Sequence, residues 1–190
     1  GEFTSRLVMD SGYKNLKLAY TEKELEDAFS SKHNAIILST KTIHSYSIAG
    51  YATAVHEFGH AVQHNSGQIS YKILKVLKFL TYTFGNFSFP LVIAGLVMTL
   101  INAINTELAY GLIVAGAVIF LISLFTQLLT IPIEYGASNI GLNKLKEYDL
   151  LNAKELKMAK RFLKSAGLTY VAAFLSRILA WTFLVPKYKH

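Results

Sequence analysis

The chain has 190 residues, of which 52% are hydrophobic and 16% are charged, whereas soluble domains average about 25% charged residues. This balance argues against a soluble domain and predicts a membrane protein, and the absence of cysteine excludes disulfides, thiolate metal ligands and a cysteine nucleophile. The net charge of +7 is not accompanied by a nucleic-acid-binding motif, so we expect lipid headgroups, and not nucleic acid, to be the partner of the basic residues.

The first part of the chain predicts a small α+β region. Thr21 is a capping residue that precedes the acids Glu22, Glu24 and Glu26, a pattern typical of a first helical turn. In chain order we expect a helix over residues 2–9 ended by Gly12, a strand over 16–18, a helix from 22 to about Phe29, a strand over 35–38, and a long helix capped by Ser45 or Ser47 that ends near Asn65 before Gly67.

The long helix contains His56-Glu57-Phe58-Gly59-His60, which matches the HExxH motif. Residues four apart lie on one face of a helix, so both imidazoles can bind one zinc ion. Zinc lowers the pKa of a bound water to about 7, and Glu57 can take its proton while the water attacks a peptide carbonyl. The pattern predicts a zinc hydrolase with His56 and His60 as ligands and Glu57 as general base. The competing interpretation is two surface histidines beside an acid.

Two apolar segments follow, residues 79–106 and 108–133, and neither contains an acidic, basic or histidine residue. Each is longer than the roughly 20 residues that cross a bilayer, so we predict a membrane hairpin. A third segment, 168–186, is also predicted to span the membrane, although Arg177 near its middle must then face protein or water.

Polar residues frame these segments. Residues 71–80 predict an amphipathic interfacial helix that leads into the first span, with breaks expected at 84–86 and Pro90. Residues 153–164 predict a second amphipathic helix. More basic residues flank the spans on the motif's side than on the other, so the catalytic side is expected to be cytoplasmic. The basic residues compared are Lys72, Lys75, Lys78 and the cluster from Lys144 to Lys164, against Lys187 and Lys189.

Zinc in hydrolytic sites usually has a third protein ligand. If each hairpin segment crosses the membrane once, Glu107 between them lies opposite the motif, whereas Glu134 after the second returns to the motif's side. Glu134 is therefore the predicted third ligand. Two alternatives stay open: Glu134 is a solvated acid at a helix end, or the third ligand is another residue. The other candidates are His64, His44, Glu147 and Asp149.

Three blocks of sequence resemble the YugP-like bacterial membrane zinc metallopeptidases: AVHEFGHAVQ at 54–63, QLLTIPIEYGAS at 127–138 and AGLTYVAA at 166–173. Their order and spacing agree with that family over essentially the whole chain. The resemblance implies a gluzincin arrangement similar to that of HtpX-like membrane peptidases, with one zinc ion bound by the motif histidines and Glu134. It also implies a multi-pass protein of the bacterial plasma membrane whose catalytic side faces the cytosol.

Three further features bear on the resemblance. Ser138 matches the family and is expected either to orient a ligand histidine or to serve as a helix-packing serine. Gly136 differs, because members usually carry Asp or Asn there, so any hydrogen bond made by that side chain is missing. Members also typically have an additional N-terminal membrane helix, so the resemblance predicts that the chain is a shortened copy.

Substrate recognition is predicted by residue type only. We expect a substrate peptide to lie extended beside the strand at 35–38 and to add to its edge. Tyr170, Tyr135 and Arg177 are candidates for stabilising the oxyanion, although such residues near membranes also serve as interface anchors.

The sequence thus predicts a mainly α, polytopic membrane protein with a zincin-like HExxH helix, a small N-terminal α+β region and about three transmembrane helices. We expect one integrated catalytic domain in three successive segments, 1–70, 71–133 and 134–190. The predicted function is a zinc metalloendopeptidase that acts on peptides or membrane proteins. The alternatives are a catalytically inactive, zinc-binding membrane scaffold or interaction protein and, less favoured because Arg177 is the only ionisable residue in the spans, a small transporter or channel.

Overall fold

The computed structural model describes residues 1–23, 26–101 and 105–182, with side chains through residue 180. The chain is mainly helical, at 76%, with a small N-terminal sheet, and this confirms the predicted fold class. Within these residues, three helical stretches are long and apolar enough to cross a membrane, judged by length and composition: Ile69–Leu100, Thr106–Glu147 and Ala153–Ala180. The end of the third predicted span, with Lys187 and Lys189, lies outside the described residues.

The chain divides into two compact units, and each is built from two stretches of sequence. The first unit contains Gly1–Tyr71 and Ile131–Thr169, and the second contains Lys72–Thr130 and Tyr170–His190. The first unit is therefore discontinuous in sequence. The division into three successive segments of one catalytic domain stays a prediction.

The first unit begins with helix α1 (Glu2–Asp10) and a three-stranded sheet. The strands are β1 (Lys17–Thr21), β2 (Ala28–Ser30) and β3 (Ala35–Ser39). Their order is β1-β3-β2, with β1 parallel and β2 antiparallel to β3. β3 is central because its apolar side chains are buried in the core, as Ile36 and Leu38 are.

The predicted helix from residue 22 to Phe29 is wrong. Thr21 ends β1, residues 24 and 25 lie outside the described chain, and Phe29 is in β2, opposite Ile36 of β3. Asp27 lies within the predicted helix, but its carboxylate accepts a hydrogen bond from the Ser39 N–H, at the end of β3, at 2.7 Å. This contact fixes the start of β2 against the end of β3, so pairing between strands outweighs the local helical pattern.

A second expectation about the sheet is also wrong. The strand at 35–38 was predicted to offer an edge to substrate, but β3 has a strand on each side. β1 and β2 are the outer strands of the sheet.

Two helices follow β3, a short α2 (Thr40–Ile43) and the long α3 (Ile48–Asn65). α3 begins where predicted, because the Ser47 side chain accepts a hydrogen bond from the Gly50 N–H at 3.1 Å. It ends before Gly67, whose φ of +70° suits a glycine after a helix.

The core of the first unit is apolar and draws on α1, the sheet, α3 and the two C-terminal helices. α3 contributes small side chains and Phe58 to this core, so the helix is packed against the sheet and the neighbouring helices. The most buried members are Leu7, Ile36, Leu38, Ala52, Val55, Phe58, Ala61, Leu145 and Ala159.

The next helices are α4 (Ile69–Phe84) and α5 (Ser88–Leu100). The predicted break lies between them as a single 3₁₀ turn, Gly85–Phe87. Pro90 falls in the first turn of α5, where a backbone N–H has no helical acceptor, so the proline breaks nothing.

The last two helices are α6 (Thr106–Glu147) and α7 (Ala153–Thr182). Each joins segments that the sequence analysis predicted as separate. α6 continues past Pro132 and carries the second apolar segment and Glu134 in one helix. α7 joins the predicted amphipathic helix to the third apolar segment. It begins with a reciprocal cap in which Asn152 Oδ1 accepts the Glu155 N–H at 3.0 Å and Glu155 Oε2 accepts the Asn152 N–H at 2.9 Å.

Within the second unit, small residues allow α5 and α6 to pack closely. A Cβ added to Gly95 would lie 2.6 Å from the Ala109 carbonyl oxygen, and one added to Gly116 would lie 2.6 Å from that of Ser88. The Thr81 and Thr126 hydroxyls are 2.9 Å apart and join α4 to α6. These contacts are the kind that hold apolar helices together in lipid.

Candidate metal centre

Two imidazoles project from one face of α3. His56 and His60 are four residues apart, and their ring centroids are 4.8 Å apart. Both are partly buried, with side-chain exposures of 17% and 13%. The helix is fixed by the core on its other faces, so the two rings are held in place.

Glu134 reaches the same point from α6. Its Oε2 lies 3.2 Å from His56 Nε2 and 3.4 Å from His60 Nε2, and the residue is 3% exposed. Among the described residues, these three form the group whose ligand atoms lie close enough to hold a metal ion, all within 4.8 Å of one another.

The donor set fits zinc. Zinc in proteins takes imidazole nitrogen and carboxylate oxygen at about 2.0–2.1 Å in tetrahedral geometry, which places neighbouring ligand atoms about 3.3 Å apart. The two nitrogen–oxygen separations of 3.2 and 3.4 Å match that spacing. A tetrahedral ion with three protein ligands keeps a fourth position for water or substrate.

The outer nitrogen of each histidine ring also has a partner. His56 Nδ1 lies 3.1 Å from Ser138 Oγ, and His60 Nδ1 lies 3.0 Å from Gln63 Oε1. Such contacts fix the ring orientation and leave each Nε2 directed at Glu134. Ser138 thus contacts His56, a candidate ligand, and its expected role in orienting that ring stays a prediction.

Glu57 is separate from this group of ligand atoms. Its Oε2 accepts a hydrogen bond from the Phe29 N–H of β2 at 2.7 Å. Burial raises the pKa of the Glu57 carboxyl above its ordinary value, and the nearby His60 and His56 and the Phe29 N–H oppose that rise. A carboxyl with a raised pKa is suited to accept and release a proton.

The same environment acts on His60. Burial lowers the pKa of its ring, but the hydrogen bond with Glu134 and the charges of Glu134 and Glu57 outweigh burial, so the pKa lies above the ordinary value. The carboxylates of Glu134 and Glu57 thus favour positive charge at His60, which is the property a cation site needs.

The site depends on a close crossing of α3 and α6. A Cβ added to Gly59 would lie 2.2 Å from the Ala137 carbonyl oxygen, and one added to Gly141 would lie 2.6 Å from that of Val55. Both glycines let the two backbones touch, and Glu134 lies one turn before Ala137 on α6. The contact therefore sets how far Glu134 reaches toward the histidines.

The competing third ligands are not part of the described metal group. The His64 ring lies among aromatic rings, 5.5 Å from Phe29 and 6.0 Å from Tyr71 between centroids. Glu147 pairs with Lys144 at 2.7 Å. The remaining candidates, His44 and Asp149, and the excluded acid Glu107 are also outside that group.

The three oxyanion candidates have different positions. Tyr135 follows Glu134 on α6, and its ring lies against Gly167 of α7, where an added Cβ would come within 3.1 Å of it. Tyr170 and Arg177 belong to the second unit. The role of these three residues at the oxyanion stays a prediction.

The sequence analysis did not predict three groups that lie near the site. Gln63 could have been predicted, because it lies three residues after His60 and shares its helix face. The Tyr71 ring, whose centroid is 6.1 Å from that of His60, and the Phe29 N–H could not have been predicted from a local pattern. The turn after α3 brings Tyr71 to the site, and the position of β2 brings the Phe29 N–H.

Gly136 lies beside Gln63. A Cβ at residue 136 would come within 3.1 Å of Gln63 Nε2. The position where relatives are expected to carry Asp or Asn therefore faces the amide that contacts His60.

Comparison with known proteins extends these observations. A family model described as "Putative neutral zinc metallopeptidase" matches residues 1–186. The chain is 30% identical over 179 residues to a Bacillus subtilis (strain 168) protein named "Putative membrane protease YugP", a match that covers 92% of this chain and 74% of that protein. No solved structure gave a significant match.

Replacing Gly59 with alanine tests the helix crossing. The added methyl group would overlap the Ala137 carbonyl, so α3 and α6 must separate, and we expect zinc affinity to fall about tenfold or more. Zinc affinity is measured on purified protein by competition with a chelator.

Gly111→Ala is the matched control, because nothing lies within 4 Å of a Cβ added there. It should leave zinc affinity unchanged. A folded Gly59→Ala variant with wild-type affinity would contradict the assigned role of the crossing.

Proposed function

This chain belongs to the neutral zinc metallopeptidase family, and on that basis we propose that it is a membrane-embedded peptidase that hydrolyses peptide bonds at the site formed by His56, His60 and Glu134. The observation that carries the proposal is the convergence of these three donors within 4.8 Å of one another, with both nitrogen–oxygen separations close to those of a tetrahedral zinc site. One zinc ion satisfies them.

Zinc bound there supplies a Lewis acid that polarises a carbonyl and lowers the pKa of water to about 7. Glu57 accepts the proton of the attacking water as its oxygen bonds to the peptide carbon. When the carbon–nitrogen bond breaks, Glu57 returns that proton to the leaving amine nitrogen. The raised pKa of the Glu57 carboxyl supports both transfers.

The substrate is proposed to be an extended segment of a peptide or membrane protein that adds to β2. β2 is an outer strand, and the Phe29 N–H on it is directed at Glu57. A substrate carbonyl that takes this N–H would release the Glu57 carboxylate for proton transfer. Backbone pairing of this kind supplies affinity with little sequence preference.

The protein is a membrane protein, as its three apolar helices and its relative indicate. We place it in a bacterial plasma membrane with the catalytic side in the cytoplasm. The exposed lysines Lys72, Lys75 and Lys78 beside the first apolar segment support this orientation.

Glu57→Gln tests the general base. The substituted amide still accepts the Phe29 N–H but cannot take a proton, so we expect cleavage of an unfolded protein substrate to fall at least about 100-fold. Zinc content should stay at the wild-type level. Cleavage near the wild-type rate would refute the peptidase mechanism, and wild-type protein that binds zinc without cleaving would favour the inactive scaffold.

Glu134→Gln tests the third ligand. Loss of the carboxylate removes the charged donor between the histidines, and we expect zinc affinity to fall at least about 100-fold. Glu107→Gln is the matched control, since Glu107 is an exposed acid at the start of the same helix. Equal zinc affinity in the two variants would exclude Glu134 as a ligand.

Membrane orientation is testable because the chain contains no cysteine. Single cysteines replace Gln68, in the turn after α3, or Glu107, at the start of α6; both positions are exposed. In intact cells a membrane-impermeant maleimide should label the variant at 107 and spare the one at 68. The opposite labelling would place the motif outside the cell.

A further inference from the structure

Gln63 is a buried amide that bridges two helices of the first unit. It lies on α3, three residues after His60, and is 2% exposed. Its Oε1 is 3.0 Å from His60 Nδ1, and its Nε2 donates to the Ile133 carbonyl oxygen of α6 at 2.8 Å. Both ends of this side chain are therefore engaged.

The chemistry of the two contacts fixes the orientation of the amide. The Ile133 carbonyl can only accept a hydrogen bond, so the end of Gln63 that faces it must be the NH₂ group. The other end is then the carbonyl oxygen, which accepts from His60. When the His60 ring is neutral, as metal binding requires, its proton therefore lies on Nδ1, and Nε2 carries the lone pair that can bind a metal.

The other end of the bridge acts on α6. Ile133 directly precedes Glu134, so the hydrogen bond from Gln63 holds the backbone next to the third ligand. Gly136 leaves room for the amide, because a Cβ there would lie only 3.1 Å from Gln63 Nε2. One side chain thus contacts both a ligand from α3 and the segment that carries the ligand from α6.

We propose that Gln63 is a positioning residue for the metal centre, which selects the metal-binding tautomer of His60 and fixes the spacing between His60 and Glu134. This inference rests on the proposed function, since it assigns a role within the same zinc site. Gln63 is outside the group of described residues that could hold the metal ion. Its effect reaches the site through His60 and through the Ile133 backbone.

A residue that only fills space would behave differently. Its replacement by a side chain of similar volume would leave the zinc site unchanged. A hydrogen-bonding bridge fails when either partner is lost, even if the volume is kept. Gln63→Met keeps the length and bulk of the side chain and removes both hydrogen bonds. Gln63→Glu keeps an acceptor for His60 and loses the donor to Ile133.

The experiment measures zinc affinity by chelator competition in the full-length protein, and the visible absorption of the cobalt-substituted form. We expect Gln63→Met to weaken zinc binding by about 10- to 100-fold and to alter the cobalt bands as the His60 ring loses its orientation. Gln63→Glu should retain more affinity than Gln63→Met but less than wild type.

Gln68→Met is the matched control, because Gln68 is an exposed glutamine outside the candidate metal group, and its Nε2 donates to the Ser70 hydroxyl at 3.0 Å. It should bind zinc like wild type. If Gln63→Met does not fold, the comparison of Gln63→Glu with wild type decides the matter.

Zinc affinity within twofold of wild type in Gln63→Met, with unchanged cobalt bands, would overturn the inference. So would equal loss of affinity in the Glu and Met variants, since the acceptor facing His60 would then be irrelevant. Failure of the wild-type protein to bind zinc would instead refute the proposed function, so the two failures are distinguishable.

Discussion

The close approach of α3 and α6 is the constraint on which the site depends. Where Gly59 meets Ala137 and Gly141 meets Val55, no side chain separates the two backbones. Because helices normally pack 8–10 Å apart by axis, contacts without side chains bring them nearer and fix their relative rotation. Glu134 is carried to within 3.4 Å of both imidazoles as a result. The HExxH spacing supplies two donors on any helix, but the crossing supplies the third.

Charge balance follows from that crossing. Glu134 is nearly fully buried, and a second carboxylate, Glu57, lies close enough to affect the same histidines. Burying carboxylates is costly unless cations or hydrogen bonds compensate them. A divalent ion at the Nε2 atoms would balance the two acids, while the Phe29 N–H, Ser138 and Gln63 contact Glu57, His56 and His60 respectively. The proposed peptidase chemistry requires Glu57 to accept a proton, and a cation bound beside it would compensate the charge of the two carboxylates.

The sequence predicted those features that depend on local pattern. Ser47 and Gly67 define α3, and the i, i+4 spacing pairs His56 with His60, because caps and helical period act within a few residues. Glu134 has no local signal of this kind, and it was predicted from the count of membrane crossings and from the family resemblance. The helix expected near Phe29 failed because pairing with β3 is a contact between distant residues. The same pairing made β2, and not β3, the outer strand beside Glu57, and no local signal encodes that outcome.

The discontinuity of the first unit gives the metal a second significance. His60 and Glu134 belong to the two separate stretches of that unit, Gly1–Tyr71 and Ile131–Thr169, with the whole of Lys72–Thr130 between them. An ion bound to both would link the two ends of a long loop in the folded state. Because the unfolded chain has no preformed site, the free energy of metal binding would add to the free energy of folding. The discontinuity also makes assembly sequential. During synthesis the two histidines emerge first, and the ligand set would be complete only after the two intervening apolar segments have been made, so metal capture would follow the first two membrane crossings and precede the third apolar helix, Ala153–Ala180.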